Sequence, residues 1–332
     1  MTVPLRFFTG LASGLALAFG IYFGLVYWQL GAPTTMSYWT HTLNTRKQAR
    51  AASIHEPKLL IVGGSGALFG INARRLQSEL GVPTVNLGTH AVLQTAYILG
   101  LAKKAARPGD TVLLALEYEL YENGDAIMSR WADPLFVDFI MARDPAYFRS
   151  LPAGKQFDLA MRMSLDRLKR GLKDKRRPPQ WQGFAEYSPY DPKSVDEFGD
   201  MTGNTRTNIP SYAPKTFTAS GTLARGLTGT RSGFTEIREF VRWARMNQIR
   251  VLAVFPNLCA DPAYELPKAQ QAAADITAFF ESQGVPVLGG YRDGLLPRSE
   301  FYDTCYHLTQ EAAHARTDRL VPPLRPYFTG KP

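Results

Sequence analysis

The sequence predicts an α/β fold: a three-layer sandwich with a mainly parallel sheet, preceded by one transmembrane helix. Three observations favour this class. From Lys58 onward, short apolar runs alternate with helical stretches, a spacing typical of parallel β-α units. With 332 residues and 45% hydrophobic content, the chain can bury one large core. A long uncharged segment precedes the first of these runs.

The uncharged segment extends from Phe7 to Leu30 and is long enough to span a bilayer. Tyr27 and Trp28, near its end, are residue types enriched at membrane interfaces. Because no small-residue cleavage site follows it cleanly, we expect an uncleaved signal anchor over residues 1–30. A buried core helix is the alternative. Residues 31–57 are predicted to form a juxtamembrane connector, and residues 58–330 the main domain.

The segment KLLIVGGSGALFG predicts a buried strand over Leu59–Val62 and then a tight turn that carries Ser65. A helix is predicted next, over Asn72–Leu80. The start of a helix favours negative charge, so an attacking Ser65 oxygen, or the oxyanion that its attack creates, would be stabilised there. Serine is also among the best helix-capping residues. The local sequence leaves both roles open.

The same segment contains Gly64, Gly66 and Gly70, a spaced-out relative of the dinucleotide-binding fingerprint. That fingerprint requires an acidic residue about 20 positions further on to bind the ribose. The next predicted strand instead ends at Asn86 and Gly88, without an acid. A dinucleotide site is therefore the less favoured interpretation.

A second segment, FYDTCYHL, places Asp303 and His307 four residues apart, just before the last predicted helix, Thr309–Leu320. A serine nucleophile needs an imidazole to take its proton and a carboxylate to orient that imidazole. We therefore predict Ser65, Asp303 and His307 as catalytic residues. A solvated or capping role for His307 is the alternative.

These two segments, the GGS turn and D-x-x-x-H-L, resemble those of the SGNH (GDSL-type) hydrolase superfamily. Within it, the likeness is to the membrane-anchored or periplasmic proteins that O-acetylate bacterial exopolysaccharides, of the alginate and cellulose acetylation type. The resemblance implies that Ser65 is the nucleophile and that Asp303 and His307 are the acid and base. It also implies an oxyanion hole made by the backbone N–H groups of Ser65 and of Gly88, in VNLGTH.

Two features depart from the family pattern. Its acid and base are usually three residues apart, whereas here they are four apart. Its third motif supplies an asparagine to the oxyanion hole, but Glu117 follows the corresponding predicted strand, Thr111–Leu116. Asn123 and Glu117 are the candidate substitutes.

The resemblance implies a serine-dependent O-acyltransferase or acylesterase acting on a polysaccharide, with its main domain in the periplasm and its anchor in the inner membrane. The implied partners are the membrane, a polysaccharide acceptor and an acyl donor, for which a membrane-bound acyltransferase is a candidate. A non-catalytic, membrane-anchored scaffold or polysaccharide-binding protein is the alternative. The net charge of +9 suits an acidic polymer or anionic lipid, and no nucleic-acid-binding motif is present in the sequence. No cofactor is predicted, and no metal, because no Cys/His cluster has zinc spacing.

Two remaining features concern the middle and the end of the main domain. Residues from about 118 to 231 are predicted to form a loop-rich insertion that recognises substrate, with a basic helix over Arg162–Arg177. Cys259 and Cys305 both fall in loops near the predicted cleft. Because paired cysteines outside the cytoplasm can be oxidised, we predict a Cys259–Cys305 disulfide, with two free thiols as the alternative.

Overall fold

The computed structural model describes residues 3–122, 134–181, 188, 190–213, 215, 217, 219–228 and 231–329. The described residues form two compact units. The first is drawn from residues 1–41 and 127–182, and the second from residues 42–126 and 183–332. The stretch predicted as a loop-rich insertion is therefore divided between the two units.

The helices of the described residues are, in chain order, α1 (Val3–Gln29), α2 (Thr35–Ser53), α3 (Ser65–Gly70), α4 (Ala73–Leu80), α5 (Gln94–Ala105), α6 (Glu119–Glu122), α7 (Pro134–Arg143), α8 (Pro145–Ser150), α9 (Ala153–Met161), α10 (Leu165–Arg176), α11 (Gly221–Arg225), α12 (Ser232–Met246), α13 (Pro267–Ser282) and α14 (Gln310–Leu324). The strands are β1 (Leu59–Val62), β2 (Thr84–Asn86), β3 (Thr111–Leu114), β4 (Arg250–Val254), β5 (Leu258–Cys259), β6 (Val287–Leu288) and β7 (Leu295–Leu296).

The second unit is built around a five-stranded sheet in the order β2-β1-β3-β4-β6. Every pairing in it is parallel, with Leu59 of β1 in register with Thr84 of β2 and Thr111 of β3. The predicted α/β class with a mainly parallel sheet is therefore confirmed. Because parallel strands all end at the same edge of their sheet, the residues that follow β1, β2 and β3 lie near one another.

Both faces of this sheet are covered, since all four residues of β1 are buried. One buried cluster joins Leu59 and Ile61 to Leu76 on α4 and Leu324 on α14. Successive residues of a strand point to opposite faces, so Leu60 and Val62 lie on the other face. Helices α5 and α12 pack against each other and against β1 and β4, respectively.

The first unit contains α1 and α7 to α10. Of the helices that the structure describes, α1 alone is long and apolar enough to cross a membrane, over the 25 residues Leu5–Gln29. Its most apolar window is only 6% buried within the protein. Near the chain reversal after α1, Arg167 and Asp138 form a buried ion pair at 2.5 Å, and Thr34 donates a hydrogen bond to the same carboxylate at 2.6 Å.

Candidate functional site

Ser65 is the first residue of α3 and follows the two glycines that come after β1. Both glycines are required by space. A Cβ at Gly63 would lie 2.3 Å from the Ala115 carbonyl oxygen, and one at Gly64 would lie 2.4 Å from a carboxylate oxygen of Glu117. Gly64, and not Ser65, occupies the helix-capping position, where no side chain makes a capping hydrogen bond. The capping alternative for Ser65 is therefore not supported, and its side chain is partly exposed at the carboxyl end of the strand.

Asp303 and His307 form a buried pair, with 2.7 Å between Asp303 Oδ1 and His307 Nδ1. The Tyr190 hydroxyl donates to the other carboxylate oxygen at 2.8 Å. Burial acts to raise the pKa of Asp303, but the hydrogen bonds from His307 and Tyr190 outweigh it and bring this pKa below its ordinary value. Asp303 is therefore ionised at neutral pH and can only accept hydrogen bonds. In the neutral imidazole, the proton thus sits on Nδ1 and Nε2 carries the free lone pair.

Phe69 connects this pair to the helix that begins with Ser65. The Phe69 ring stacks on the His307 imidazole, with 4.1 Å between ring centroids and 6° between ring planes. Residues four apart on a helix lie on the same face, so Ser65 and Phe69 are neighbours. The fold therefore brings all three predicted catalytic residues into one region. Among the described residues, no hydrogen bond joins the Ser65 hydroxyl to the imidazole.

Glu117 holds the start of α3. Its two carboxylate oxygens accept hydrogen bonds from the N–H groups of Gly64, at 2.9 Å, and Gly66, at 2.7 Å. Burial raises the pKa of Glu117 to about 7, although these two amides oppose the shift. The Ser65 N–H, between them, has no acceptor within the described chain. The amides that a bound pyrophosphate would need are thus taken by Glu117.

Gly88, the second predicted oxyanion donor, lies against α3 but its N–H group is already engaged. It donates to the Asn86 side-chain oxygen at 2.9 Å, and the Gly88 carbonyl accepts from Lys47 Nζ at 2.5 Å. Burial lowers the pKa of Lys47 to about 7, with Asp200 opposing the shift. The structure thus places Gly88 beside the site without a free donor. The other substitute considered for the oxyanion hole, Asn123, lies outside the described residues.

The two cysteines do not form the predicted disulfide, since both are free thiols. Their backbones do meet, because the Cys259 N–H donates to the Cys305 carbonyl at 2.9 Å. Cys259 belongs to a buried apolar cluster with Phe301 and Leu308, and Cys305 packs against that cluster. Both side chains therefore act as small apolar groups. Burial accordingly raises the pKa of both thiols, that of Cys305 to about 12.

Two residues that contact the Asp303–His307 pair are absent from the site predicted from the sequence. Tyr190 lies 113 positions before Asp303, and nothing in its local sequence marks it. Phe69, by contrast, could have been found from its spacing of four residues after Ser65 within a helix.

No family model matches this chain, and no curated protein matches it. Among solved structures, it is similar to one from Streptococcus pneumonia described as a "putative platelet activating factor". The two share 10% sequence identity with a TM-score of 0.41, over 87% of this chain and 92% of the other. A likeness of this degree carries no argument about the site.

Proposed function

We propose that this chain is a serine-dependent acyl esterase or O-acyltransferase that works through an acyl-enzyme on Ser65. One observation carries the proposal: the buried Asp303–His307 pair stacks on Phe69, one turn after Ser65 at the start of α3. An ionised carboxylate, an imidazole with a free Nε2 and a serine at the carboxyl end of a parallel strand are the groups that nucleophilic acyl transfer requires.

The proposed reaction has two halves. In the first, Ser65 Oγ attacks the carbonyl carbon of an ester while His307 Nε2 takes the serine proton. The bond to the leaving alcohol then breaks, and the imidazolium returns that proton to the leaving oxygen. In the second, water or a sugar hydroxyl attacks the acyl-enzyme by the same route and releases Ser65. Asp303 stabilises the imidazolium, and the Ser65 N–H stabilises the oxyanion.

The missing Ser65–His307 hydrogen bond is compatible with this reaction. Catalytic hydrogen bonds are often long or poorly aligned without substrate and tighten when it binds. A serine side chain reaches other rotamers by rotation about one bond. The Gly88 N–H would have to leave Asn86 to serve as a second oxyanion donor, so we assign the oxyanion to Ser65 N–H alone.

We further propose a polysaccharide as the acyl acceptor, so that the chain O-acetylates an exopolysaccharide in the periplasm while α1 anchors it in the inner membrane. The motif resemblance supports the acceptor and the compartment, and the length and apolar character of α1 support the anchor. The acyl group would come from a separate donor, such as a membrane-bound acyltransferase.

A second candidate function, a non-catalytic anchored scaffold or polysaccharide-binding protein, is favoured by one specific observation. The Glu117 carboxylate lies on the amides that flank Ser65. When ionised, it places a negative charge where an oxyanion would develop, and like charges there oppose the reaction. A chain that only binds its polymer would not be affected.

Labelling with a fluorophosphonate and hydrolysis of p-nitrophenyl acetate separate the two candidates. We expect the full chain to be labelled at Ser65 and Ser65→Ala to lose both labelling and hydrolysis, the latter by at least about 10³-fold. Ser282→Ala, which changes an exposed serine at the end of α13, is the matched control and should behave as wild type. Equal hydrolysis by wild type and Ser65→Ala would leave the binding protein as the function.

Transfer and hydrolysis are then distinguished by adding a soluble polysaccharide to the acetyl donor. A transferase should form O-acetyl esters on the polymer, measured by NMR, and should release less free acetate per donor consumed. An unchanged acetate yield and an unmodified polymer would make the chain an esterase.

A further inference from the structure

The polar end of α1 is fixed within the helical unit. Gln29 is fully buried; its side-chain oxygen accepts from Arg167 at 2.9 Å, and its side-chain nitrogen contacts the Met163 sulfur at 2.9 Å. About two turns further along α10, Lys175 donates to the Leu30 carbonyl at 2.8 Å. Helix α10 is therefore held beside the last turn of α1, at a fixed depth.

With α1 in the membrane, as the proposed function has it, that depth corresponds to the membrane–water interface. The 25-residue apolar stretch of α1 is about 37 Å long at 1.5 Å per residue, whereas the hydrocarbon core is about 30 Å thick. The last turn of α1 therefore lies at the level of the lipid headgroups, where Tyr27 and Trp28 are well placed. The residues of α10 that face this turn lie at the same level.

A surface cavity of about 640 Å³ opens between these two helices. It combines apolar and basic side chains, and its lining residues are Leu25, Trp28, Leu172, Lys173, Arg176 and Arg177. The Arg176 guanidinium lies 5.8 Å from the centre of the Trp28 ring. Among the described residues, no ion pair involves Lys173, Arg176 or Arg177, although the Asp174 carboxylate interacts with Lys173 through its charge.

The neighbouring helix α9 presents apolar side chains to the outside. Phe157 and Met161 of α9 are 52% and 47% exposed, and Leu165, the first residue of α10, is 69% exposed, although residues of this size are normally covered. Phe157 stacks on Phe23 of α1, with 5.2 Å between ring centroids. The exposed apolar surface is therefore continuous with the membrane-crossing helix.

We propose that this cavity binds an anionic phospholipid. Lys173, Arg176 and Arg177 bind the phosphate headgroup, and an acyl chain lies along Leu25 on the apolar surface of α1. Three basic side chains beside a tryptophan match an anionic headgroup at the interface. The adjoining apolar surface distinguishes a lipid from an acidic polysaccharide, which has no apolar chain to bury.

Native mass spectrometry of the full chain, released from detergent with one added lipid, tests the proposal. We expect wild type to retain phosphatidylglycerol in preference to phosphatidylcholine. The triple variant Lys173→Ala/Arg176→Ala/Arg177→Ala should bind phosphatidylglycerol roughly 100-fold more weakly, since each basic residue near an anionic lipid surface contributes about a fivefold gain. Arg238→Ala/Arg242→Ala/Lys268→Ala removes the same charge from exposed residues of the second unit and should bind as wild type.

A charge-preserving variant, Lys173→Arg/Arg176→Lys/Arg177→Lys, guards against misfolding and should keep most of the lipid preference. Inorganic phosphate and a soluble acidic polysaccharide are added separately as competitors. The proposal is overturned if the triple alanine variant retains lipid as wild type does. It is overturned as well if the alanine variant of the second unit and the charge-preserving variant both lose the lipid as strongly as the triple alanine variant does. It is also overturned if inorganic phosphate or the polysaccharide displaces the lipid at equal concentration, because the site would then recognise the anion alone.

Discussion

Replacing Glu117 with glutamine tests how the start of α3 is held. The carboxyl group of Glu117 accepts from the N–H groups of Gly64 and Gly66, and both of its oxygens are used. A glutamine side chain has one oxygen and one NH₂ group, and the NH₂ group cannot accept. Glu117→Gln therefore leaves one buried amide unsatisfied, at a cost of about 1–3 kcal/mol.

The pH dependence of this cost follows from the pKa of Glu117, which burial raises to about 7 from 4.5. The folded state then binds a proton more tightly than the unfolded state, so this contribution to stability is complete below about pH 4.5. It is lost as the pH rises through about 7, and the shift corresponds to about 3 kcal/mol. Glu117→Gln has no titrating group at this position. The difference between the free energies of unfolding of wild type and Glu117→Gln should therefore be about 3 kcal/mol smaller at pH 8 than at pH 4.5.

Urea unfolding of the full chain in detergent, followed by circular dichroism at several pH values, measures this difference. Subtracting the free energy of unfolding of Glu117→Gln from that of wild type at each pH cancels the pH dependence that the other titratable groups contribute to both proteins. Glu281→Gln, which changes an exposed glutamate at the end of α13, is the matched control and should unfold at the wild-type urea midpoint. A constant difference for Glu117→Gln would mean that Glu117 is ionised throughout and that its burial does not control its protonation.

Three further predictions concern the site and the helical unit. Asp303→Asn should lower esterase activity by about 10⁴-fold at pH 7 with little change in KM, since the imidazole loses the carboxylate that sets its tautomer; steady-state kinetics measures this. Tyr190→Phe removes one hydrogen bond from the Asp303 carboxylate, so the pKa of Asp303 should rise and the acid limb of the kcat/KM profile should move to higher pH; an unmoved limb would contradict this. Gly171→Ala should destabilise the first unit by about 1–3 kcal/mol, because the added Cβ would lie 1.5 Å from the Gln29 side-chain oxygen. A Cβ at Gly154 would have nothing within 4 Å, so Gly154→Ala is the control and should not destabilise it. Thermal unfolding in detergent compares the two variants.

The sheet could be predicted from the sequence because its strands are buried on both faces. A run such as Leu59–Val62 is then apolar at every position and stands out from the helices around it. Gly63 and Gly64 marked the end of this strand, but the sequence placed Ser65 on the turn, whereas it is the first residue of α3. The short helix α3, by contrast, contains two glycines among six residues and has little helical tendency of its own. Its last turn depends on Asn86, whose side-chain nitrogen donates to the carbonyls of Ala67 and Ile71.

The contacts that complete the candidate site depend on long-range packing, which one sequence does not reveal. The contact between Asp303 and His307 could be predicted because the two residues are close in the chain. The hydroxyl of Tyr190 comes from a loop more than a hundred residues earlier. The structural role of Glu117 could not be predicted, because a carboxylate that follows a parallel strand is expected to face the cleft. Here its two oxygens instead accept hydrogen bonds from the backbone N–H groups of Gly64 and Gly66. The thiols could not be assigned because chain proximity alone does not fix whether two sulfur atoms meet.

The helical unit is assembled from segments that the ribosome makes at different times. Residues 1–41 are made first, and their companions in residues 127–182 are complete only about 140 residues later. At 5–20 residues per second, the end of α1 waits roughly 7 to 28 s before its companions are complete. During that interval the Gln29 side chain lacks Met163 and Arg167, which contact it in the finished protein. A stalled or truncated chain would therefore leave the last turn of α1 exposed and would be a natural target for quality-control proteases.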